Sequence, residues 1–288
     1  MQKQQIRENK MKKGLLALSA ATLFVMTTPV QAKQEICVFD LLGRAGESYK
    51  LIEEWKLAAK NWQGDIELIP YQDEKKAEQD FDAGKCDGVY MTSMRARKYN
   101  KFAGSIDAVG AVTSNAIAQK AISFVLDNRN KHRLTASVGG EKYEVAGIIQ
   151  VGLAYIFVRD KNIDTIEKAK GKKSAYLHYD QAQKTIVESI DLIAVPSDIS
   201  NFVKKFNSGQ VDVIAAPAYA YKPLEISKGM ANGALFNFPV VNITGDLIIK
   251  PGKFPANFGT QSRQWFINKL PSNFATVQRL EAGMDAKK

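Results

Sequence analysis

Two histidines and two cysteines are all that 288 residues hold of the side chains most often recruited as metal ligands or as nucleophile–base pairs. His132 and His178 sit in no H-E-x-x-H pattern and beside no cysteine pair, so a zinc enzyme has no ligand set here. A G-x-S-x-G elbow is missing, and Gly171-Lys172-Lys173-Ser174 lacks the upstream glycine of a phosphate-binding P-loop. Paired carboxylates such as Glu53-Glu54 are adjacent on an exposed helix face, where solvation explains them. These absences move the expectation from catalysis to binding, with no metal, no cofactor and no catalytic residue.

Long apolar runs are equally scarce. Beyond residue 32 none is long enough to cross a bilayer. Before it, a basic start with Lys3, Lys10, Lys12 and Lys13 leads into an apolar stretch from Gly14 to Met26 and closes on Val30-Gln31-Ala32. That pattern predicts a secretory signal peptide over residues 1–32, cut after Ala32, and a soluble monomer in the periplasm. No cysteine stands at the cleavage site, which argues against a lipid anchor. The net charge is +10, and without the first 32 residues 35 basic side chains still face 29 acidic ones. The basic residues are scattered in short pairs such as Lys75-Lys76, Lys172-Lys173 and Lys204-Lys205, a pattern of solvated faces that predicts no nucleic-acid partner.

What the chain does contain is a pattern used twice. Phe81-Asp82-Ala83-Gly84-Lys85-Cys86-Asp87 recurs as Phe206-Asn207-Ser208-Gly209-Gln210-Val211-Asp212, with Phe, Gly and Asp at identical spacing. In each copy a charged amphipathic run ends at a glycine suited to a left-handed helix cap, and an apolar run of strand length follows. Twin helix–strand units predict two α/β lobes, each a mixed sheet flanked by helices, with a cleft between them. Ligands of open α/β sheets sit beyond the carboxyl ends of the strands. The candidate ligand residues are therefore Tyr90, Thr92, Ser93 and Arg95 in one lobe and Tyr176, His178, Pro217, Tyr219 and Tyr221 in the other. Aromatic rings and hydroxyls suit a small organic solute. Asp40 ends the first strand, and Arg44 lies in the Gly43-Arg44-Ala45-Gly46 turn, where a helix N-terminus could hold an anion. Arg159 is a further candidate cation.

Cys37 lies in the first strand and Cys86 at the entrance of the strand that should neighbour it. A disulfide is expected in an oxidising compartment, against the competing possibility of two buried thiols. Residues 143–158 form an apolar run long enough to leave one sheet and enter another. Residues 33–142 and 236–288 are assigned to lobe I and 143–235 to lobe II. Strands at 239–243 and 246–249 are expected to pair around Thr244-Gly245, and two helices, 261–270 and 272–281, to end the chain.

Ala169-Lys170-Gly171-Lys172-Lys173, the Phe206-to-Asp212 motif and the export signal together resemble the periplasmic solute-binding proteins of TRAP (DctP-like) transport systems. The chain also resembles the AdeT proteins, a group labelled as efflux components of the resistance–nodulation–division type and linked to aminoglycoside resistance. The TRAP resemblance implies a two-lobed periplasmic-binding-protein-like fold, a hinge, a long connecting helix and a membrane transporter as partner. It also implies an arginine that clamps a ligand carboxylate, but its position, two residues beyond the Gly-Lys-Lys turn, holds Ala175. Arg44, Arg95 or Arg159 remain as substitutes. The AdeT resemblance implies the alternative of a periplasmic accessory to efflux components without a working cleft. A pump itself needs many membrane spans, which this sequence does not offer.

Overall fold

Two sets of parallel strands backed by helices, joined by a long antiparallel strand pair, make up residues 33–284, the part of the chain that the computed structural model describes. The expected signal peptide lies outside these residues. In the first half, β1 (Gln34–Phe39), α1 (Glu47–Ala59), β2 (Ile66–Tyr71), α2 (Glu74–Asp82), β3 (Gly88–Thr92) and the short α3 (Ser93–Ala96) precede α4 (Asn115–Leu126) and β4 (Thr135–Val138). The long β5 (Glu141–Val158) leads into α5 (Ile166–Ala169), β6 (Lys173–Leu177), α6 (Gln181–Ser189), β7 (Ile193–Ser197), α7 (Phe202–Asn207), β8 (Val213–Pro217) and α8 (Ala218–Tyr221). The return is made by β9 (Ala234–Ile249) and α9 (Phe258–Ala282). Strand order is β2-β1-β3-β9-β5-β8-β6-β7, with β4 beside β5. No helix of the described residues is long and apolar enough to cross a membrane.

The twin motifs fold alike down to single hydrogen bonds. Gly84 and Gly209 both take φ +78°, a left-handed turn that a side chain would strain, and donate to Phe81 and Phe206 carbonyls. Those two phenylalanines are fully buried, one in each of two apolar clusters. Asp87 exchanges a pair of bonds with Glu35: its N–H donates to the Glu35 carbonyl at 2.7 Å and its carboxylate accepts from the Glu35 N–H at 3.0 Å. Asp212 does the same with Lys173, at 2.8 and 2.9 Å. Each aspartate thus fixes the start of its own strand against the start of the neighbouring parallel one, β1 or β6. The disulfide is present, with Cys37 and Cys86 Cα atoms 5.9 Å apart.

Three expectations change. The halves share one continuous nine-stranded sheet among the described residues, because β5 and β9 pair with each other along their length and belong to both. The proposed hairpin at Thr244-Gly245 is instead the middle of β9. Gly245 lets the strand pass directly over the Tyr90 ring, where a Cβ would collide with the phenol. The two terminal helices are one, α9, which continues through Pro271. It is bound to β5 on both sides of the proline: Ser262 Oγ donates to the Ala146 carbonyl at 2.6 Å, Arg263 bonds Glu144 at 2.6 Å, and Asn273 pairs with the Gln150 backbone. These tertiary bonds hold the helix together where the missing proline N–H would weaken it.

Candidate functional site

The strand registers fix where the two halves face each other. β3 is antiparallel to β9, with Gly88 opposite Ile249 and Thr92 opposite Gly245. β8 is antiparallel to β5, with Val213 opposite Val158 and Pro217 opposite Ala154. Since Ala154 pairs with Val241 and Gln150 with Thr244, both carboxyl ends point at the same central section of the β5–β9 pair. The bottoms of the strands, with Asp87 and Asp212, lie at the far ends.

A cavity of about 100 Å³ occupies this meeting point. Val151, Ala154, Val241 and Ile243 from β5 and β9 form its floor. Phe39, Leu41, Thr92 and Met94 come from the first half; Ala175, Tyr176, Phe202, Pro217 and Tyr219 come from the second. None of the lining side chains is charged. Pockets that enclose small molecules commonly measure about 300–1,000 Å³, so the halves stand close together in this conformation. The floor contains an irregularity: pairing shifts register between Gln150 and Gly152, and Gly152 has φ +151°, a conformation that favours glycine.

Polar contacts bridge the two halves beside the cavity. Arg95, with its side chain 4% exposed, pairs with Glu74 at 3.0 Å and Glu78 at 2.7 Å in its own half, and reaches Asp198 of the other half at 3.3 Å. The Tyr179 ring lies against its guanidinium at 3.9 Å, and the Tyr179 hydroxyl donates to Glu74 at 3.4 Å. Arg97 pairs with Asp180, which also caps α6 by accepting from the Ala182 and Gln183 N–H groups. His178 bonds Asp198 at 3.1 Å. Glu74 accepts from both the N–H and the hydroxyl of Thr92, at 2.8 and 2.5 Å. Burial pushes the Glu74 carboxyl up to about 7, against the pull of Thr92 and Arg95.

Of the residues singled out in the sequence, Thr92, Tyr176, Pro217 and Tyr219 line the cavity. The others lie elsewhere, each for a visible reason. Asp40 turns into the start of α1, where its carboxylate accepts from the N–H groups of Leu42, Ser48 and Tyr49. It fills the place that a bound anion was expected to take, and Gly46 leaves room for it. Arg44 donates to the Tyr49 hydroxyl at 3.2 Å. Tyr90 is buried under Gly245 and bonds Ser48 at 3.2 Å. Ser93 is buried at the start of α3. Arg95 and His178 belong to the bridging contacts. Arg159 lies at the other end of β5, against Gly209. Tyr221 stacks on Phe157 in the second half's core, with centroids 5.9 Å apart. The lining residues missed are mostly apolar, among them Phe39, Leu41, Val151, Phe202 and Ile243, with Gln183 as the polar exception. As hydrophobic residues the former read as core, and Val151 and Ile243 sit mid-strand, where no local pattern marks them.

The model of the solute-binding protein AdeT 1/2 family matches residues 52–288. The chain is 38% identical over 251 residues to the probable solute-binding protein AdeT1 of Acinetobacter baumannii, covering 87% of this chain and 81% of that protein. Among solved structures, a TRAP periplasmic solute-binding protein from Haemophilus influenzae with bound L-gulonate superimposes with TM-score 0.69 at 12% identity, over 88% of this chain and 84% of that one. A TRAP periplasmic solute-binding protein from Rhodobacter sphaeroides, in an apo open state, gives TM-score 0.67 at 16% identity, over 88% and 83% of the two chains. At such identities the likeness establishes the fold: a mixed α/β sheet with flanking helices, similar to two-lobed TRAP binding proteins.

Proposed function

Since the chain belongs to the solute-binding protein AdeT 1/2 family, we propose that it captures a small organic solute between its two halves in the periplasm and presents it to a membrane transporter. The observation that carries this is the convergence of the carboxyl ends of β3 and β8 on one cavity. Export through residues 1–32 and action as a monomer belong to the same proposal, as does the absence of catalysis. The family and the A. baumannii relative are solute-binding proteins, which speaks for the receptor and against the efflux-accessory alternative.

Lobes over 33–142 with 236–288 and over 143–235 are part of the proposal, with one refinement. β5 and β9 serve both halves, so the flexing points lie inside these strands, at the register shift around Gly152. A hinge there lets the bridging contacts of Arg95 and Arg97 break and re-form as solute enters.

The test is to denature purified protein and identify any released solute by mass spectrometry, and to follow thermal unfolding of solute-free protein against a metabolite panel. A solute bound only by the folded state raises the melting temperature. Finding neither a released solute nor any stabilisation across the panel counts against a receptor.

A further inference from the structure

We infer that the cavity takes a small uncharged, mainly apolar solute, oriented by the hydroxyl of Tyr219; this rests on the proposed receptor function and specifies its ligand class. The wall is built from aliphatic and aromatic side chains with no formal charge. Around it, the positively polarised positions are already filled by the protein's own carboxylates. Asp40 occupies the N-terminus of α1 and Asp180 that of α6. Glu74, Glu78 and Asp198 surround Arg95, and Asp180 holds Arg97.

An anionic solute entering here meets no cation among the lining side chains. Its desolvation is uncompensated. A cationic solute fares no better, because those same carboxylates face arginine, lysine or backbone N–H partners rather than the cavity. Lys98, for instance, also holds Glu78 at 2.7 Å.

The polar side chains on the wall are four, and two of them are spent. Thr92 donates to Glu74. Gln183 accepts from the Leu177 N–H and contacts the Met94 sulfur. Tyr176 and Tyr219 have hydroxyls with no partner among the described residues. Of these, Tyr219 lies just past the carboxyl end of β8 that faces the cavity floor, and burial, with the charges of Asp40 and Glu74, holds its phenol well above its usual range, so it stays a neutral donor and acceptor.

The probes are benzyl alcohol, benzoate and benzylamine, similar in size and different in charge at pH 7.5. Saturation-transfer NMR and calorimetric titration of solute-free protein report binding. Benzyl alcohol is expected to bind roughly a hundredfold more tightly than either charged partner. Tyr219→Phe should weaken it roughly tenfold, and Ala215→Trp, which fills the cavity from β8, should abolish it while circular dichroism stays unchanged. Preferred binding of benzoate or benzylamine overturns the solute class and leaves the receptor standing. Binding of benzyl alcohol that survives Ala215→Trp places it outside the cavity and also overturns the inference. Binding of none of the three overturns the inference, and the mass-spectrometric search then decides whether a receptor remains.

Discussion

Replacing Arg95 with methionine is the sharpest perturbation of the contacts that join the two halves. The guanidinium is almost completely buried and pairs with three carboxylates, at 2.7 to 3.3 Å. Methionine keeps much of the volume and none of the charge. Removing one partner of a buried ion pair costs about 3–5 kcal/mol, because the remaining charge loses its compensation. For a chain of this size that corresponds to a melting point lower by roughly 10 °C. The cost must also depend on pH. Glu74, already pushed up to about 7 by burial, loses the Arg95 charge that holds it down. Below pH 6 it is protonated in either protein and the substitution costs less; at pH 8 the variant alone has to take up the proton or bury an unpaired charge. The assay is urea unfolding of wild type, Arg95→Met, Glu74→Gln and the double variant at pH 6 and pH 8, which forms a double-mutant cycle. A loss under about 1 kcal/mol at pH 8, or an identical loss in the Glu74→Gln background, would refute the coupling.

Three further outcomes are expected. Reducing the Cys37–Cys86 bond, or replacing both residues by serine, frees a loop with a sequence separation of 49 and should destabilise by about 4 kcal/mol on the chain-entropy relation, read from denaturant midpoints; an unchanged midpoint contradicts it. Glu74 and Asp246 are both raised to about 7, mainly by burial, so the folded state holds protons that the unfolded chain has released. Stability should therefore fall as pH rises from about 4.5 to about 7 and then level off, and Glu74→Gln with Asp246→Asn should flatten that slope; an unaltered slope assigns it to other groups. Asp87→Ala and Asp212→Ala should each cost about 1–2 kcal/mol and add in the double variant, because the two corners are far apart and equivalent; a loss at only one corner breaks the equivalence.

How much was legible beforehand follows the range of the interactions involved. The twin Phe-Gly-Asp motifs and the long β5 were visible because they depend on short spacings, a left-handed cap or an apolar run, and the disulfide because its two cysteines fall on, or at the entrance of, strands expected to be neighbours. The hairpin expected at Thr244-Gly245 failed because glycine there answers a distant ring, Tyr90, and not a local turn. The break expected at Pro271 failed because bonds to β5 hold α9 on both sides of it. At the site, the residues that sequence pattern marks are those with chemistry, and most of them are partnered within the protein. Arg95 is the clearest case: nothing near it in sequence announces Glu74, Glu78 and Asp198 as its neighbours.

By itself, the order of residues determined the twin helix–strand units and the mixed α/β class, since periodicity, caps and strand length are local properties that each copy of the motif satisfies alone. Tertiary structure decided what the cleft is made of. Whether a hydrophobic side chain becomes core or cavity wall, and whether an arginine is free or neutralised, depends on which distant segments the β5–β9 registers bring together, and no local pattern encodes that.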